Sequence, residues 1–266
     1  MTVVPVFQYH SVSNNPPSWI SPLTVTPAVF REQLDRIAGS GLEVVPLRRL
    51  VLAQRGGPPV PSNAAVLTFD DGFADFYWTV AEVLTERGLP ATLYVTVGAV
   101  HPPGAAGSGS LLPPSDMLNW RQVATLDSLG VEIGGHSMTH AELDVLGGGR
   151  WLPEILDCKR HLEEVLGHEV GSFAYPHGYS SPPVRRAVRE AGWTSGVSKG
   201  NAFSSSTEDP LRISRLTVRA DTPPQLFQIW TELRGAPVAP PAEGLQVRRN
   251  RLYRRLRAAT GRLLPS

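Results

Sequence analysis

The feature of this sequence that most constrains its fold is the alternation of short apolar segments with longer amphipathic ones. Ala64–Phe69 and Thr92–Val97 are apolar and rich in β-branched residues, which is typical of strands buried on both faces of a parallel sheet. Trp151–Leu166 has apolar residues at helical spacing and follows the predicted strand Val131–Gly135. Because parallel neighbours need crossover connections, this alternation predicts an α/β fold of βαβ units. About seven or eight such strands favour a closed or nearly closed barrel.

The chain has 266 residues, which is enough for one barrel domain with a full core. Its net charge of +1 gives no overall attraction to nucleic acid, so we expect no nucleic-acid partner. A single cysteine, Cys158, excludes an intrachain disulfide and is expected to be a small buried residue. The sequence shows neither a secretory signal nor a membrane-spanning apolar run, which predicts a cytoplasmic protein.

The composition changes near the C-terminus, where we predict a domain boundary. Residues 1–235 carry the strand and helix pattern, and residues 236–266 form a proline-containing linker and a basic tail. The segment Val247–Ser266 contains seven arginines and no acidic residue. One interpretation is a frayed, solvated tail outside the barrel. The other is a surface helix that makes weak contact with an anionic membrane or a protein partner.

Reactive side chains follow the predicted strands at the point where each strand ends. These candidate functional residues are His10, Asp70, Asp71, His136, His140 and His177. The C-terminal ends of parallel strands meet at one rim of an α/β barrel, and catalytic groups of such barrels lie at that rim. We therefore expect these side chains to lie close together.

Two adjacent carboxylates, Asp70 and Asp71, directly follow the strand Ala64–Phe69 and precede Gly72. Two carboxylates at a buried strand end need a cation to offset their charge. In isolation, an Asp-Asp-Gly sequence is more often a solvated turn. The strand before it and the histidines elsewhere favour a functional interpretation.

His136 and His140 are four residues apart. At this spacing two imidazoles lie on one face of a helical turn and can bind one metal ion. Many such pairs are ordinary surface or core histidines, but a nearby carboxylate strengthens the prediction of a metal site. Imidazole and carboxylate ligands are typical of zinc and other late divalent ions, and three protein ligands leave positions for water and substrate.

Three short motifs together make the family resemblance specific. Thr68-Phe69-Asp70-Asp71-Gly72, then His136-Ser137-Met138-Thr139-His140, and then Phe173-Ala174-Tyr175-Pro176-His177-Gly178 resemble the polysaccharide deacetylases, the NodB-homology domain of carbohydrate esterase family 4. The resemblance extends over about Val3 to Leu233 and implies a distorted (β/α)7-type barrel. Tyr9-His10 is similar to the start of a subgroup that deacetylates exopolysaccharides.

The resemblance implies a role for each matched residue. Asp70 matches the general base that deprotonates the attacking water. Asp71, His136 and His140 match the ligands of a divalent metal, which we expect to be zinc, with cobalt, nickel or manganese as alternatives. The third motif implies substrate contacts around Tyr175 and Pro176 and a backbone N–H at His177 that stabilises the oxyanion.

Two residues that many family members have are missing at the expected places. The third motif lacks the arginine that orients the base, and we predict that Arg215 supplies this charge instead. No histidine follows His177, so the general acid must lie elsewhere. We favour His10, because the first and last strands of a closed barrel are neighbours, and keep His177 as the alternative. Trp193 is expected to line the acetyl pocket.

These inferences predict a metal-dependent hydrolase that removes an acetyl group from an N-acetylated, or O-acetylated, sugar or glycoconjugate. Hydrolysis of another amide and a non-catalytic sugar-binding domain are the alternatives, and the missing acid histidine is what favours the latter. The segment Gly98–Ser115 is a glycine- and proline-rich loop that we expect to shape the substrate groove.

Overall fold

The structure is a computed structural model and describes residues 1–100, 109–240 and 245–260. The helices are α1 (Pro27–Gly39), α2 (Leu47–Gln54), α3 (Ala81–Arg87), α4 (Trp120–Ser128), α5 (Trp151–Leu166), α6 (Pro182–Glu190), α7 (Pro224–Thr231) and α8 (Leu245–Thr260). The strands are β1 (Val3–Val4), β2 (Val6–Tyr9), β3 (Ser11–Val12), β4 (Thr24–Val25), β5 (Glu43–Val44), β6 (Ala64–Phe69), β7 (Thr92–Val95), β8 (Glu132–Gly135), β9 (Ser172–Ala174), β10 (Ser195–Val197), β11 (Ser204–Ser205) and β12 (Leu216–Thr217).

The main sheet follows the order β10-β9-β8-β7-β6-β2-β12, and β5 pairs with the start of β6. All of these pairs are parallel. A parallel bridge between Val197 and Ile213 connects β10 to the segment that leads into β12, so the sheet curls towards closure. The predicted α/β class and barrel-like architecture are confirmed, and the C-terminal strand ends lie at one rim.

Side chains alternate between the two faces of the curled sheet, as strand geometry requires. On β6, Leu67 and Phe69 belong to the larger apolar cluster, which also contains the buried faces of α1, α3 and α5. Val66 points the other way, into a second cluster with Tyr94 and Val197. Helices α1, α3 and α5 therefore cover the outside of the barrel, while the second cluster fills its inside.

The helices begin where their sequences provide caps. Thr26 accepts a hydrogen bond from the backbone of Val29 at the start of α1, and Pro27 occupies the first helical position. Asn119 and Gln122 form a reciprocal capping box at the start of α4. These local signals explain why the positions of α1 and α4 could be predicted from sequence.

Some elements differ from the sequence-based expectation. The short helix α2 was not predicted, and its residues Leu47 and Leu50 complete the inner apolar cluster. The apolar character of Arg212–Val218 predicts a strand there, but only Leu216–Thr217 forms one, as β12. The apolar run Val3–Gln8 predicts one strand, which is split into β1 and β2 at Pro5 because proline has no N–H to donate to a sheet.

The C-terminal region contacts the barrel over its described part, contrary to the expectation of a solvated tail. Backbone hydrogen bonds join Phe203 to Pro237 and Ala239, so the proline-containing segment pairs with the barrel. The α8 helix is also packed on the barrel, through ion pairs that are described below. Residues 241–244 and 261–266 lie outside the described ranges, and the boundary at residue 235 stays a prediction.

Within the described ranges, no helix combines the length and the continuous apolar character needed to span a lipid bilayer.

Candidate active site

A cavity of about 620 Å³ opens at the C-terminal rim of the barrel. Its lining residues come from the ends of β2, β6, β8 and β9 and from nearby loops: Gln8, His10, Trp19, Leu23, Asp70, Asp71, Leu111, Leu112, Pro113, His136, His140, Glu142, His177, Tyr179, Lys199 and Thr217. All six candidate residues that follow predicted strands are in this set. The barrel topology therefore brings together side chains that are far apart in the sequence.

Asp71, His136 and His140 form the centre of the site. The Nε2 atoms of both histidines lie 3.3 Å from Oδ1 of Asp71, and the ligand atoms are within 4.8 Å of one another. Asp71 and His136 are buried, and His140 is partly buried. Three side chains that carry typical ligand atoms thus converge on one point.

The histidines reach this point from a loop and not from a helical turn. His136 directly follows β8, and the residues up to His140 have no helical structure. The expectation of a helical His-x-x-x-His pair is therefore wrong in its geometry, although the two imidazoles do converge. Ser137 and His140 have φ angles of 63° and 69°, and these left-handed residues turn the chain back on itself.

Hydrogen bonds fix the orientation of this loop. The Nδ1–H of His136 donates to the carbonyl oxygen of Ala174 at 2.8 Å, which leaves the Nε2 lone pair directed at Asp71. The backbone N–H of His140 donates to Oγ of Ser137 at 2.9 Å. Glu154 on α5 accepts hydrogen bonds from both the backbone and the side chain of Thr139. The ligand geometry is therefore supported from β9 and α5.

The donor set fits a divalent cation. A lone pair on Nε2 of His136 faces the carboxylate of Asp71, an arrangement that is repulsive unless a cation or a proton lies between them. Oδ1 of Asp71 is buried and has no hydrogen-bond partner in the described part of the chain. Buried polar atoms are almost always paired, so an unpaired acceptor here is consistent with a bound ion.

Backbone strain is concentrated at this site. Within the described residues, six non-glycine residues have positive φ, and four of them belong to the site: Asp71, Ser137, His140 and His177. Such conformations cost of order 1 kcal/mol or more and persist where the surrounding structure enforces them. Their clustering supports a functional constraint at this rim.

Asp70 lies beside the three convergent residues and is held by Arg215 and Gln8. Arg215 donates from Nη1 to Oδ1 and from Nη2 to Oδ2 of Asp70, both at 2.7 Å. Gln8 donates from Nε2 to Oδ2 at 2.7 Å, and its own Oε1 accepts a hydrogen bond from Thr217. Burial alone would raise the pKa of Asp70, but Arg215 and neighbouring imidazoles lower it to about 2. Asp70 is therefore ionised at neutral pH.

His10 and His177 both line the cavity, and their electrostatic surroundings differ. Desolvation lowers the pKa of His10, while the carboxylates of Asp71 and Asp70 oppose this change. His177 reaches solvent, but partial desolvation and then the neighbouring His140 and His136 lower its pKa to about 4. The ring of His177 lies 4.6 Å from the ring of His140, measured between centroids.

The structure corrects the expected positions of Trp193 and Tyr175. Trp193 is buried against Phe173, and its indole N–H donates to the carbonyl of Ile155 on α5. The hydroxyl of Tyr175 donates to the carbonyl of Leu211, and its ring is also buried. Neither side chain lines the cavity. Both are core residues: Tyr175 directly follows β9, Trp193 lies between α6 and β10, and both side chains are buried away from the rim.

Pro176 and Arg215 are also buried and do not form the cavity wall. Pro176 begins the tight turn Pro176–Gly178, which positions the backbone of His177 at the rim. Arg215 acts on the site through Asp70 and not by direct exposure to the cavity. The proximity of Arg215 to Asp70 that we expected from sequence is observed, and Arg215 is not among the residues that line the cavity.

Several cavity residues were not identified from sequence. Gln8 lies two residues before His10, and residues two apart on a strand share a face, so this signal was available. Glu142, Tyr179 and Lys199 lie in irregular segments, where no periodic pattern indicates which way a side chain points. Residues 111–113 of the predicted groove loop do line the cavity, while residues 101–108, including His101, lie outside the described ranges.

Two solved structures share the fold of this chain: the deacetylase PplD of Streptococcus pyogenes in complex with acetate and IcaB from Ammonifex degensii. Their TM-scores are 0.73 and 0.72, at 21% and 23% identity. The comparison covers 84% of this chain and 96% of PplD, and 87% of this chain and 98% of IcaB.

Two curated proteins are similar to this chain in sequence. YxkH of Bacillus subtilis (strain 168), whose name refers to the polysaccharide deacetylases, is 20% identical over 229 residues. This match covers 86% of this chain and 76% of YxkH. The poly-beta-1,6-N-acetyl-D-glucosamine N-deacetylase of Escherichia coli (strain K12) is 31% identical over 137 residues. That match covers 49% of this chain but only 20% of the E. coli protein.

The family profile described as polysaccharide deacetylase matches residues 57–196, more than half of the chain. This range contains the Asp-Asp-Gly turn, both histidines of the candidate metal-site loop (residues 136–140) and the Pro-His-Gly turn. The chain belongs to the polysaccharide deacetylase family.

Proposed function

We propose that this protein is a metal-dependent deacetylase that hydrolyses the acetamide of an N-acetylated sugar in a glycan or glycoconjugate. The observation that carries the proposal is the convergence of Asp71, His136 and His140 beside an ionised Asp70 at the base of an open cavity. A pure sugar-binding site has no need for a buried carboxylate that is held in place by an arginine.

Asp71, His136 and His140 are the residues that would hold the divalent ion. When bound, such an ion supplies a water of lowered pKa and polarises the acetyl carbonyl. We propose zinc as the ion, because two imidazoles and one carboxylate suit it, and cobalt, nickel and manganese are the alternatives.

Asp70 is the proposed general base. Its low pKa keeps it in the proton-accepting form, and its hydrogen bonds to Arg215 and Gln8 fix the direction of its carboxylate. The pKa of Asp70 is too low for the carboxylate to hold a proton for long at neutral pH. The accepted proton is therefore released to solvent, which restores the ionised base, and the proton for the leaving amine comes from a separate acid.

His10 is the proposed general acid. It faces the same cavity as Asp70, and its Nδ1 has no hydrogen-bond partner among the described residues. The carboxylates of Asp71 and Asp70 favour protonation of His10 against the desolvation that lowers its pKa, whereas desolvation and two neighbouring imidazoles both lower the pKa of His177. The side chain of His177 is the alternative general acid. With either acid, the backbone N–H of His177 is proposed to help stabilise the oxyanion.

The proposed substrate class follows from the cavity and the relatives together. Trp19 provides an aromatic surface on the cavity wall, and such a surface can stack against a sugar ring. The matched E. coli relative is named as acting on poly-beta-1,6-N-acetyl-D-glucosamine. We propose a β-linked N-acetylglucosamine unit as the first substrate to test, and membership of the subgroup that has an N-terminal Tyr-His sequence.

The proposal is tested by combining metal analysis with an acetate-release assay. The purified protein should contain about one divalent ion per chain, and it should release acetate from N-acetylglucosamine oligomers. Asp70→Asn should keep the metal and lose about a thousandfold or more of the turnover. His136→Ala should lose the metal and the activity together.

The outcomes separate the competing functions. A metal-loaded wild type that binds acetylated sugars but releases no acetate would identify a sugar-binding domain. Hydrolysis of other amides without activity on acetylated sugars would identify a different amidohydrolase. Equal turnover in wild type and Asp70→Asn would exclude the proposed base.

A further inference from the structure

The α8 helix has an unusual distribution of side chains. Four of its arginines contact the barrel: Arg251 is buried, and Arg254 forms an ion pair with the buried carboxylate of Asp144. Arg255 donates from Nε to the backbone carbonyl of Asp144 at 2.8 Å. Arg257 forms an ion pair with Glu142 at 3.3 Å. The cationic side chains therefore attach the helix to the protein.

The apolar side chains of α8 face outwards. Leu252, Tyr253 and Leu256 are 59%, 46% and 56% exposed. Their spacing places them on one helical face, and the exposed Arg249 falls on the same face one turn earlier. An ordinary surface helix buries its apolar face and exposes its charges, so the orientation of α8 is inverted.

Positive charge surrounds this apolar face. Arg249 and Arg255 are exposed, and the segment Val247–Ser266 contains seven arginines and no acidic residue. Leucine and tyrosine on one side of a helix rich in arginine form the side-chain pattern of helices that lie in a membrane interface. A second copy of the same basic surface would be repelled by it.

The helix lies at the mouth of the cavity. Glu142, which pairs with Arg257, and Tyr179, whose ring lies 3.7 Å from the guanidinium carbon of Arg254, both line the cavity. Leu111 on the same rim is 70% exposed, and its N–H donates to Thr139 in the metal-site loop. Exposed apolar side chains are thus found on α8 and at the entrance to the site.

We propose that α8 binds an anionic membrane surface, with Leu252, Tyr253 and Leu256 inserted at the level of the lipid headgroups and the exposed arginines in contact with lipid phosphates. Ion pairs to Asp144 and Glu142 hold α8 on the barrel in this state. The cavity then opens next to the membrane, where acetylated glycans carried on lipid or emerging from the membrane are accessible. The lipid contact does not depend on the proposed catalytic function.

The test is co-sedimentation of the full chain with vesicles of two compositions. We expect binding to vesicles that contain phosphatidylglycerol, weaker binding to pure phosphatidylcholine, and a further loss at high salt, because lipid phosphates supply much of the attraction. The variant Leu252→Ser/Leu256→Ser removes most of the apolar contact and keeps every arginine. Its binding should be weaker by about tenfold or more.

A matched control removes two leucines of similar exposure far from α8. Leu52 is 53% exposed and Leu129 is 61% exposed, and neither lies on the cavity rim. Leu52→Ser/Leu129→Ser should bind vesicles as wild type does. Circular dichroism and thermal melting are used to check that both double variants are folded.

Three results would overturn the proposal. The first is that the wild type does not bind anionic vesicles. The second is that the two double variants bind them equally well. The third is that the wild type self-associates and that Leu252→Ser/Leu256→Ser does not. The last result, measured by sedimentation velocity, would assign the apolar face to a second copy of the chain.

Discussion

At the scale of single residues, the site depends on an ion pair that is completely buried. Arg215 is fully buried and makes two parallel hydrogen bonds to Asp70, which is itself buried. Arg215, which directly precedes β12, is therefore the residue that we propose for the role of the arginine missing from the third motif. The bidentate geometry fixes the carboxylate more firmly than a single ammonium group would.

The first prediction concerns this pair. Arg215→Ala should lower turnover by about a hundredfold or more and destabilise the fold by about 3–5 kcal/mol, because it leaves the Asp70 carboxylate buried and unpaired. Arg31→Ala is the control, since Arg31 pairs with Glu86 at the solvent-exposed surface and its removal should leave turnover and stability close to those of wild type. Acetate release and urea denaturation measure the two effects. Unchanged kinetics in Arg215→Ala would remove its proposed role.

The second prediction separates His10 from His177 as the general acid. An aryl acetate has a good leaving group that departs without protonation, whereas the amine of an acetamide needs a proton. The acid variant should therefore lose about a hundredfold or more of its amide turnover and keep most of its aryl-ester turnover. We expect this selective loss for His10→Gln, and a smaller, unselective effect for His177→Gln. The opposite pattern would assign the acid to His177.

At the scale of elements, helix ends are linked by side chains as well as by packing. His168 follows α5, and its Nε2 lies 2.9 Å from Oδ2 of Asp127 near the end of α4. The hydrogen bond to Asp127 is the main cause that raises the pKa of His168 above 6.5. A group whose folded-state pKa is raised contributes stability below its unfolded pKa and loses it as pH rises through the folded value.

The third prediction follows from the raised pKa of His168. Wild type should be more stable than His168→Gln at pH 5.5, and the difference should disappear by about pH 8.5. The imidazole is half exposed, so the effect should stay below about 1 kcal/mol. Thermal melting of both proteins across this range measures it. A difference that grows with pH would contradict the assignment.

At the scale of the whole molecule, the C-terminal region is part of the structure around the site. Asp144 is buried next to the metal-site loop and is paired with Arg254 of α8. The loop that carries His140 is thereby connected to the last helix in the chain. The family profile ends at residue 196, so α8 lies beyond the part of the chain that identifies the family, whereas Asp144 lies within it.

The fourth prediction tests how α8 is held. Asp144→Asn removes the charge that pairs with Arg254 and should release the helix, because the guanidinium groups then lose their buried anionic partner. Trypsin should cleave Asp144→Asn within residues 249–257 several-fold faster than it cleaves wild type. Asp157→Asn, at an exposed pair with Arg160, is the control and should be cleaved as wild type is. Equal cleavage of all three proteins would show that α8 is held by other contacts.

Local sequence signals were sufficient for the α/β class, for most helices and for the candidate metal ligands. Buried parallel strands are short apolar runs, and caps such as Thr26 and Asn119 are local features, so both can be recognised within a few residues. The helix α2 was not recognised because its role is to fill the inside of the barrel. That role depends on residues far away in the sequence.

By itself, the sequence determined which strands end in reactive residues, because strand ends are marked by local composition and by glycine. Only the tertiary structure decided the remaining features: Arg215 meets Asp70 across the barrel, Trp193 turns into the core, and α8 docks with its arginines inwards. The physical reason is that burial and ion pairing depend on which surfaces come together. Nothing in a local pattern specifies the partner that closes a barrel or covers a buried carboxylate.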